Sequence, residues 1–248
     1  MTDTAVTKAE RRNARKAARA ARTTFSPLVP RTHRQKELID ALDSSPTVFA
    51  VGPAGTGKTY IAARHALMRL ERGQIDRIVI TRPSISDPRH RLGFQPGGVE
   101  QKMKPWMVPI WDAFKKGTSA ANLDKYVANK QIEVLPFEHM RGRTIENGVF
   151  LLDEAQNCTL RDLEMFVTRI GEGGQLILSG DPDQSDIQDS GLSTLAWIAE
   201  DHDLDADIVW FTEDDVVRSA AAAEWVKAFS IRRKNGIADT ARTPPAYL

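Results

Sequence analysis

Short runs of consecutive apolar residues alternate along the chain with segments whose apolar positions recur at helical spacing. The runs fall at residues 47–51, 77–81, 131–135, 149–153, 175–179 and 207–211. Helical character follows in 58–72, 160–169, 191–200 and 215–229. A run such as Val149-Phe150-Leu151-Leu152 has no polar residue at alternate positions. That suits a parallel strand buried on both faces rather than one with a wet side. Strand and helix in alternation predict an α/β fold, a mostly parallel sheet flanked by helices. Residues 84–129 fit neither pattern. With Gly97, Gly98, Pro105, Trp106, Pro109 and Trp111 they read as an excursion off the sheet. No internal repeat is present.

Composition changes this picture only at the ends. Residues 7–24 are mostly Ala, Arg and Lys without an apolar stripe to dock them, so residues 1–24 read as a disordered or loosely helical basic arm. It serves either solubility or contact with nucleic acid. Pro244 and Pro245 mark a second loose tail. The expected organisation is an arm at 1–24, one ordered domain at 25–232 and a tail at 233–248. Net charge is +1, so affinity for nucleic acid must come from local patches. The single cysteine, Cys158, excludes an intrachain disulfide and fits a reducing, cytoplasmic setting. No apolar run is long enough to span a bilayer, and no secretory signal is recognisable. A soluble intracellular protein is expected.

The chemistry begins at Gly52-Pro53-Ala54-Gly55-Thr56-Gly57-Lys58-Thr59, followed by Tyr60. This is a complete G-x-x-x-x-G-K-[ST] motif placed after an apolar strand and at the start of a helix, the context it requires. The glycines let successive N–H groups turn inward on phosphates, and the helix adds its N-terminal dipole. Lys58 is expected to neutralise the β- and γ-phosphates of ATP, and Thr59 to bind Mg²⁺.

The run ending in Asp153-Glu154 places two carboxylates at the carboxyl end of a strand, where ligands of parallel sheets bind. Asp153 is expected beside the phosphate loop as a magnesium residue, and Glu154 as the base polarising water at the γ-phosphate. Further on, Leu176-Ile177-Leu178-Ser179 leads into Gly180-Asp181-Pro182-Asp183-Gln184. Gln184 there could hydrogen-bond the γ-phosphate or its water; the plainer reading is a polar turn residue. Upstream, the amide of Gln35 offers one donor and one acceptor for an adenine edge.

These segments resemble the PhoH family of ATPases, single-domain relatives of superfamily-one helicases with a RecA-like P-loop core. The match runs through Thr32-x-x-Gln35, the phosphate loop, Thr81-Arg82-Pro83, Leu92-Gly93-Phe94, His139-Met140-Arg141-Gly142-Arg143-Thr144, Asp153-Glu154-Ala155-Gln156-Asn157, Thr168-Arg169-Ile170-Gly171, Gly180-Asp181-x-x-Gln184, Ser190-Gly191-Leu192 and Asp215-x-Val217-Arg218. It covers roughly residues 30–229. The resemblance implies ATP hydrolysis, a ring-shaped homo-oligomer (a hexamer), a link to RNA and in some members unwinding, with Gln35 as the adenine-reading glutamine. The sequence departs from larger relatives: no PIN-type nuclease or KH-type segment is recognisable, the basic arm lies outside the pattern, and Gln95 stands where an apolar residue is expected. Its compact size looks like the phage and bacterial versions.

Hydrolysis of this kind usually needs a positive charge at the γ-phosphate, worth roughly 10³–10⁵ in rate. One RecA-like domain must take it from a neighbouring subunit or from elsewhere in itself, and a head-to-tail ring supplies the former. The candidates are Arg141, Arg143, Arg169 and Arg218, with Arg143 and Arg169 favoured because their motifs are the more specific. Nucleic-acid contacts would come from Arg89, Arg91, Lys102, Lys104 and Trp106, with Lys115 and Lys116 beyond. Two other readings stay open. One is an ATP-driven switch or scaffold that binds a protein partner; the other is a small-molecule kinase, which a water-activating Glu154 disfavours.

Overall fold

The computed structural model describes residues 27–83, 107–144 and 146–234, with side chains to residue 232. The basic arm, the far C-terminal residues, and Arg89, Arg91, Lys102, Lys104 and Trp106 lie outside the described residues, as does the segment around Phe94. The elements are α1 (His33–Ser44), β1 (Thr47–Val51), α2 (Lys58–Glu71), β2 (Arg77–Arg82), α3 (Val108–Lys115), α4 (Ala120–Ala128), β3 (Ile132–Pro136), β4 (Gly148–Leu152), α5 (Leu160–Val167), β5 (Gln175–Gly180), α6 (Leu192–Asp201), β6 (Ala206–Trp210) and α7 (Ala220–Lys234), with short 3₁₀ turns between several of them.

All six strands pair in parallel, in the order β3-β2-β4-β5-β1-β6. Side chains alternate between the two faces, as strand geometry demands, and both faces are covered. Val48, Ala50, Ile78, Ile80, Val149, Leu151 and Ile177 meet α1, α2 and α3 in one core. Phe49, Val51, Val79, Phe150, Leu152, Leu176 and Leu178 meet α5 and α6 in the other. This is why the central runs lack a polar alternation. In the second core Phe150 and Phe166 pack with ring centroids 5.7 Å apart, and each such side chain contributes about 1.5–3 kcal/mol by leaving water. Among the described residues no helix is long and apolar enough to cross a membrane.

Helix starts follow local chemistry. Thr159 and Asp162 form a reciprocal capping box at α5, which satisfies orphan N–H groups. The Thr32 hydroxyl accepts from the Gln35 N–H at 3.2 Å to start α1.

Two expectations change. Residues 107–129 are not an excursion: α3 and α4 fold back, with Met107, Ile110 and Phe114 buried in the core that also holds Ala63, Ala66 and Leu67 of α2. The predicted helix at 215–229 is split. The Thr212 N–H and hydroxyl both donate to Asp215, closing a single turn at Glu213–Asp215. Val216 is then extended, and the Val217 N–H donates to the Gly55 carbonyl at 3.0 Å. Helix resumes only after Ser219, so a bond to the phosphate loop overrides local helical preference.

Candidate active site

The phosphate loop leaves β1 and is pinned on both sides. The Gly52 N–H donates to the Gly180 carbonyl at 3.0 Å, and the Phe211 N–H to the Val51 carbonyl at 2.7 Å. Gly52 has φ +135°, and a Cβ there would fall 2.3 Å from the Phe211 carbonyl oxygen. Only glycine fits that approach. The Thr56 hydroxyl donates to the Pro53 carbonyl at 3.0 Å, and Ala54 and Gly55 complete the curl. Gly57 leads directly into α2, whose first residues are Lys58 and Thr59.

Lys58 folds back into the curl. Its ammonium donates to the carbonyls of Gly52 (2.5 Å) and Pro53 (2.8 Å). Burial lowers its pKa to about 8, opposed by the charges of Asp181, Asp153 and Glu154 in that order. Tyr60 points elsewhere: Arg64 and Lys116 lie over its ring, 5.9 and 5.4 Å from the centroid. Lys115 pairs with Asp112 at 3.7 Å.

β4 is not the neighbour of β1, because β5 lies between them. The acidic pair nevertheless reaches the loop. The Thr59 hydroxyl donates to Asp153 Oδ1 at 2.7 Å and sits 3.1 Å from Ser179 Oγ on the intervening strand. The buried Asp153 carboxyl is held above the usual carboxylate range chiefly by burial and then by Glu154, against the Thr59 hydrogen bond and Arg82. Glu154 adopts φ +56°, ψ +40°, a left-handed conformation uncommon outside glycine. This turns its carboxylate off the line of the strand. Arg82 Nη2 approaches it at 3.3 Å and the Gln156 amide donates to it at 2.5 Å. The other end of Gln156 accepts the Asp181 N–H at 3.0 Å, and Gln184, exposed, donates to Asp181 Oδ2 at 2.5 Å. One chain of hydrogen bonds thus links Glu154, Gln156, Asp181 and Gln184 across the ends of β4 and β5.

Arg82, Gln156, Ser179 and Asp181 were not singled out from sequence as site residues. Arg82, Gln156 and Asp181 lie within segments that carry the family resemblance, and Ser179 ends an apolar run, so position relative to strand ends was the available signal.

The side chain of Gln35, the expected adenine reader, is engaged beside the loop. It donates to the Thr56 carbonyl at 2.8 Å and accepts the Arg31 N–H at 2.7 Å. The residue is 3% exposed. One amide N–H braces the loop and one lone pair takes the Arg31 N–H, which leaves one of each.

The arginines separate by position. Arg143 pairs with Glu133 at 3.1 Å on the edge strand β3, four strand positions from β1. Arg169 donates to the Met165 carbonyl at 3.2 Å. It lies near residues 171–174, which meet the amino-terminal end of β4 through the Asn147 N–H to Glu172 carbonyl bond. A five-residue strand, about 16 Å long, separates that edge from the phosphate loop. Neither residue reaches the loop of its own chain. Arg141 lines an open cleft with Phe137, Glu138, Asp162 and Met165. Arg218 lies against Gly55.

A parallel sheet that sets a phosphate loop and an acidic pair on either side of a third strand defines a RecA-like P-loop fold. The PhoH-like protein family matches residues 27–230, and this chain belongs to the PhoH family. It is 40% identical over 204 residues to the PhoH-like protein of Mycobacterium tuberculosis (strain ATCC 25618 / H37Rv), covering 81% of this chain and 57% of that protein. It is 38% identical over 218 residues to Protein PhoH of Escherichia coli (strain K12), covering 86% and 61%. The chain therefore spans about three fifths of the length of these relatives. Among solved structures, the large terminase from a thermophilic bacteriophage superimposes with a TM-score of 0.53 over 82% of this chain and 50% of that one, at 11% identity. That likeness is one of fold.

Proposed function

We propose that this chain binds ATP with Mg²⁺ in the phosphate loop and hydrolyses it, and that hydrolysis is coupled to RNA or single-stranded nucleic acid. The observation that carries this reading is the Thr59–Asp153 hydrogen bond across β5, which brings the acidic pair of β4 to the loop of β1. Thr59 and Asp153 present the hard oxygen donors that suit Mg²⁺ and would hold it. When bound, the ion would neutralise charge on the β- and γ-phosphates.

The chain's own residues do the rest. A triphosphate offers the Lys58 ammonium stronger acceptors than the two carbonyls it now holds. Glu154, fixed by Arg82 and Gln156, accepts a proton from the attacking water while the oxygen of that water bonds to the γ-phosphorus. The bond to the leaving β–γ bridging oxygen breaks, and ADP carries off the electron pair. Gln184, linked to Glu154 through Asp181 and Gln156, would register loss of the γ-phosphate. The transition-state cation comes from a neighbouring subunit of a homo-oligomeric ring, with Arg143 or Arg169 in that role, since neither reaches its own loop. The single buried thiol suits a cytoplasmic protein.

Steady-state ATP turnover, measured with and without single-stranded RNA or DNA alongside native mass, tests this. Turnover that rises with RNA in a multi-subunit species is expected. Turnover indifferent to every nucleic acid would remove the coupling, and no nucleotide binding at all would remove the whole reading.

A further inference from the structure

Among the four arginines considered for the charge at the γ-phosphate, Arg218 packs against its own phosphate loop. A Cβ built on Gly55 would fall 2.6 Å from Arg218 Nε and 2.9 Å from its Cδ, so the arginine side chain lies against the loop at Gly55. Its placement is fixed from two sides. The Val217 N–H donates to the Gly55 carbonyl at 3.0 Å, and the Val217 carbonyl accepts from Arg31 Nη1 at 3.3 Å. Arg31 is in turn tied through its N–H to Gln35, and Gln35 to the Thr56 carbonyl. A closed collar of hydrogen bonds therefore holds residues 217–218 against residues 55–56.

Of the other cations beside the loop, Lys58 donates to the Gly52 and Pro53 carbonyls, Arg82 holds Glu154, and the Arg31 guanidinium donates to the Val217 carbonyl. Arg218 has no carboxylate partner among the described residues, and its side chain is exposed. A cation clamped beside a phosphate loop, with no carboxylate partner of its own among the described residues, suits an anion bound in that loop. Gly55, at φ +87°, leaves room for the arginine because it has no side chain.

Building on the ATP-binding reading, we propose that Arg218 binds the phosphate chain of the nucleotide in cis. It would act from the loop side, leaving the trans position to Arg143 or Arg169. Val217 and Arg31 are positioning residues that aim it.

The test uses the full chain in a Glu154→Gln background, so that ATP stays intact. Calorimetric titration of Mg-ATP is compared for Glu154→Gln alone and with Arg218→Ala or Arg218→Lys added. Loss of a hydrogen bond to a charged group predicts that Arg218→Ala weakens ATP binding between about tenfold and a hundredfold, with partial recovery in the lysine variant. Mixing Arg218→Ala subunits with Glu154→Gln subunits should restore no turnover, since each active site needs both groups from one chain. Unchanged affinity in Arg218→Ala, an equal loss with lysine, or rescue on mixing would overturn the assignment. Failure of the Glu154→Gln protein itself to bind ATP would instead sink the ATP reading beneath it. Nucleotide-free thermal unfolding checks the fold, and if Arg218→Ala melts early, Arg218→Gln is read against the same expectations.

Discussion

The Thr59 hydroxyl and the Asp153 carboxylate meet at 2.7 Å although their strands are not neighbours. The helix that follows the loop carries Thr59 over the end of β5, and Ser179 of that strand completes the contact. Asp153 is buried, and burial pushes its pKa up, so the folded chain holds this carboxylate at a cost to stability. Asp153→Asn keeps an acceptor for Thr59 and removes the charge. It should leave the nucleotide-free protein at least as stable while lowering Mg²⁺-dependent turnover by about a hundredfold or more. Thermal unfolding and turnover of the same preparation check this. A clear drop in stability would mean that the carboxylate serves the fold instead.

Gln156 touches Glu154 and the Asp181 N–H but lies beside the loop rather than in it. Gln156→Ala should therefore reduce turnover about tenfold with ATP affinity nearly unchanged. Glu154→Gln should lose about 10²–10⁴ in turnover, the usual worth of a general base. Equal effects of Gln156→Ala on binding and turnover would contradict the positioning role.

Phe166 is fully buried, and its ring packs on both Phe150 and Phe137. Phe166→Ala should cost about 3–5 kcal/mol in chemical denaturation. A cost below about 1 kcal/mol would show that this core collapses around the gap.

His65 is buried with Nε2 at 2.8 Å from Asp43 and with Nδ1 unpartnered. Burial lowers its pKa below the ordinary 6.5, outweighing the opposing hydrogen bond and charge of Asp43. The unfolded chain therefore takes up a proton near pH 6.5 that the folded chain refuses. This contribution to stability is intact above that pH and falls on acidification, by at most about 1.4 kcal/mol per pH unit. Unfolding midpoints taken from pH 7 to 5 should drop less in His65→Gln than in the wild type, and identical slopes would remove His65 from the account.

All six predicted strands are present, shifted by a residue at most at either end. They were legible because burial on both faces demands uninterrupted apolar residues, a local signature. The helix at 58–71 and its phosphate loop were legible for the same reason, since strand, glycines and helix start are contiguous. α3 and α4 were not, because Pro109 and short, mixed segments hide apolar faces that exist only against α2 for α3 and against α3 and β3 for α4. Residues 215–219 were misread because Val217 obeys a hydrogen bond to Gly55, more than 150 residues away.

Residue order alone therefore determined the α/β class, the strands, the curl that ends at Lys58 and the presence of two carboxylates after Leu152, all properties of neighbouring residues. Tertiary structure alone decided that β5 separates the two motifs, that Arg82 and Gln156 grip Glu154, that Gln35 braces the loop, and that Arg218 sits on it while Arg143 and Arg169 do not. Strand order and side-chain contact arise when distant segments compete to bury surface and pair hydrogen bonds, and no local pattern records the outcome of that competition.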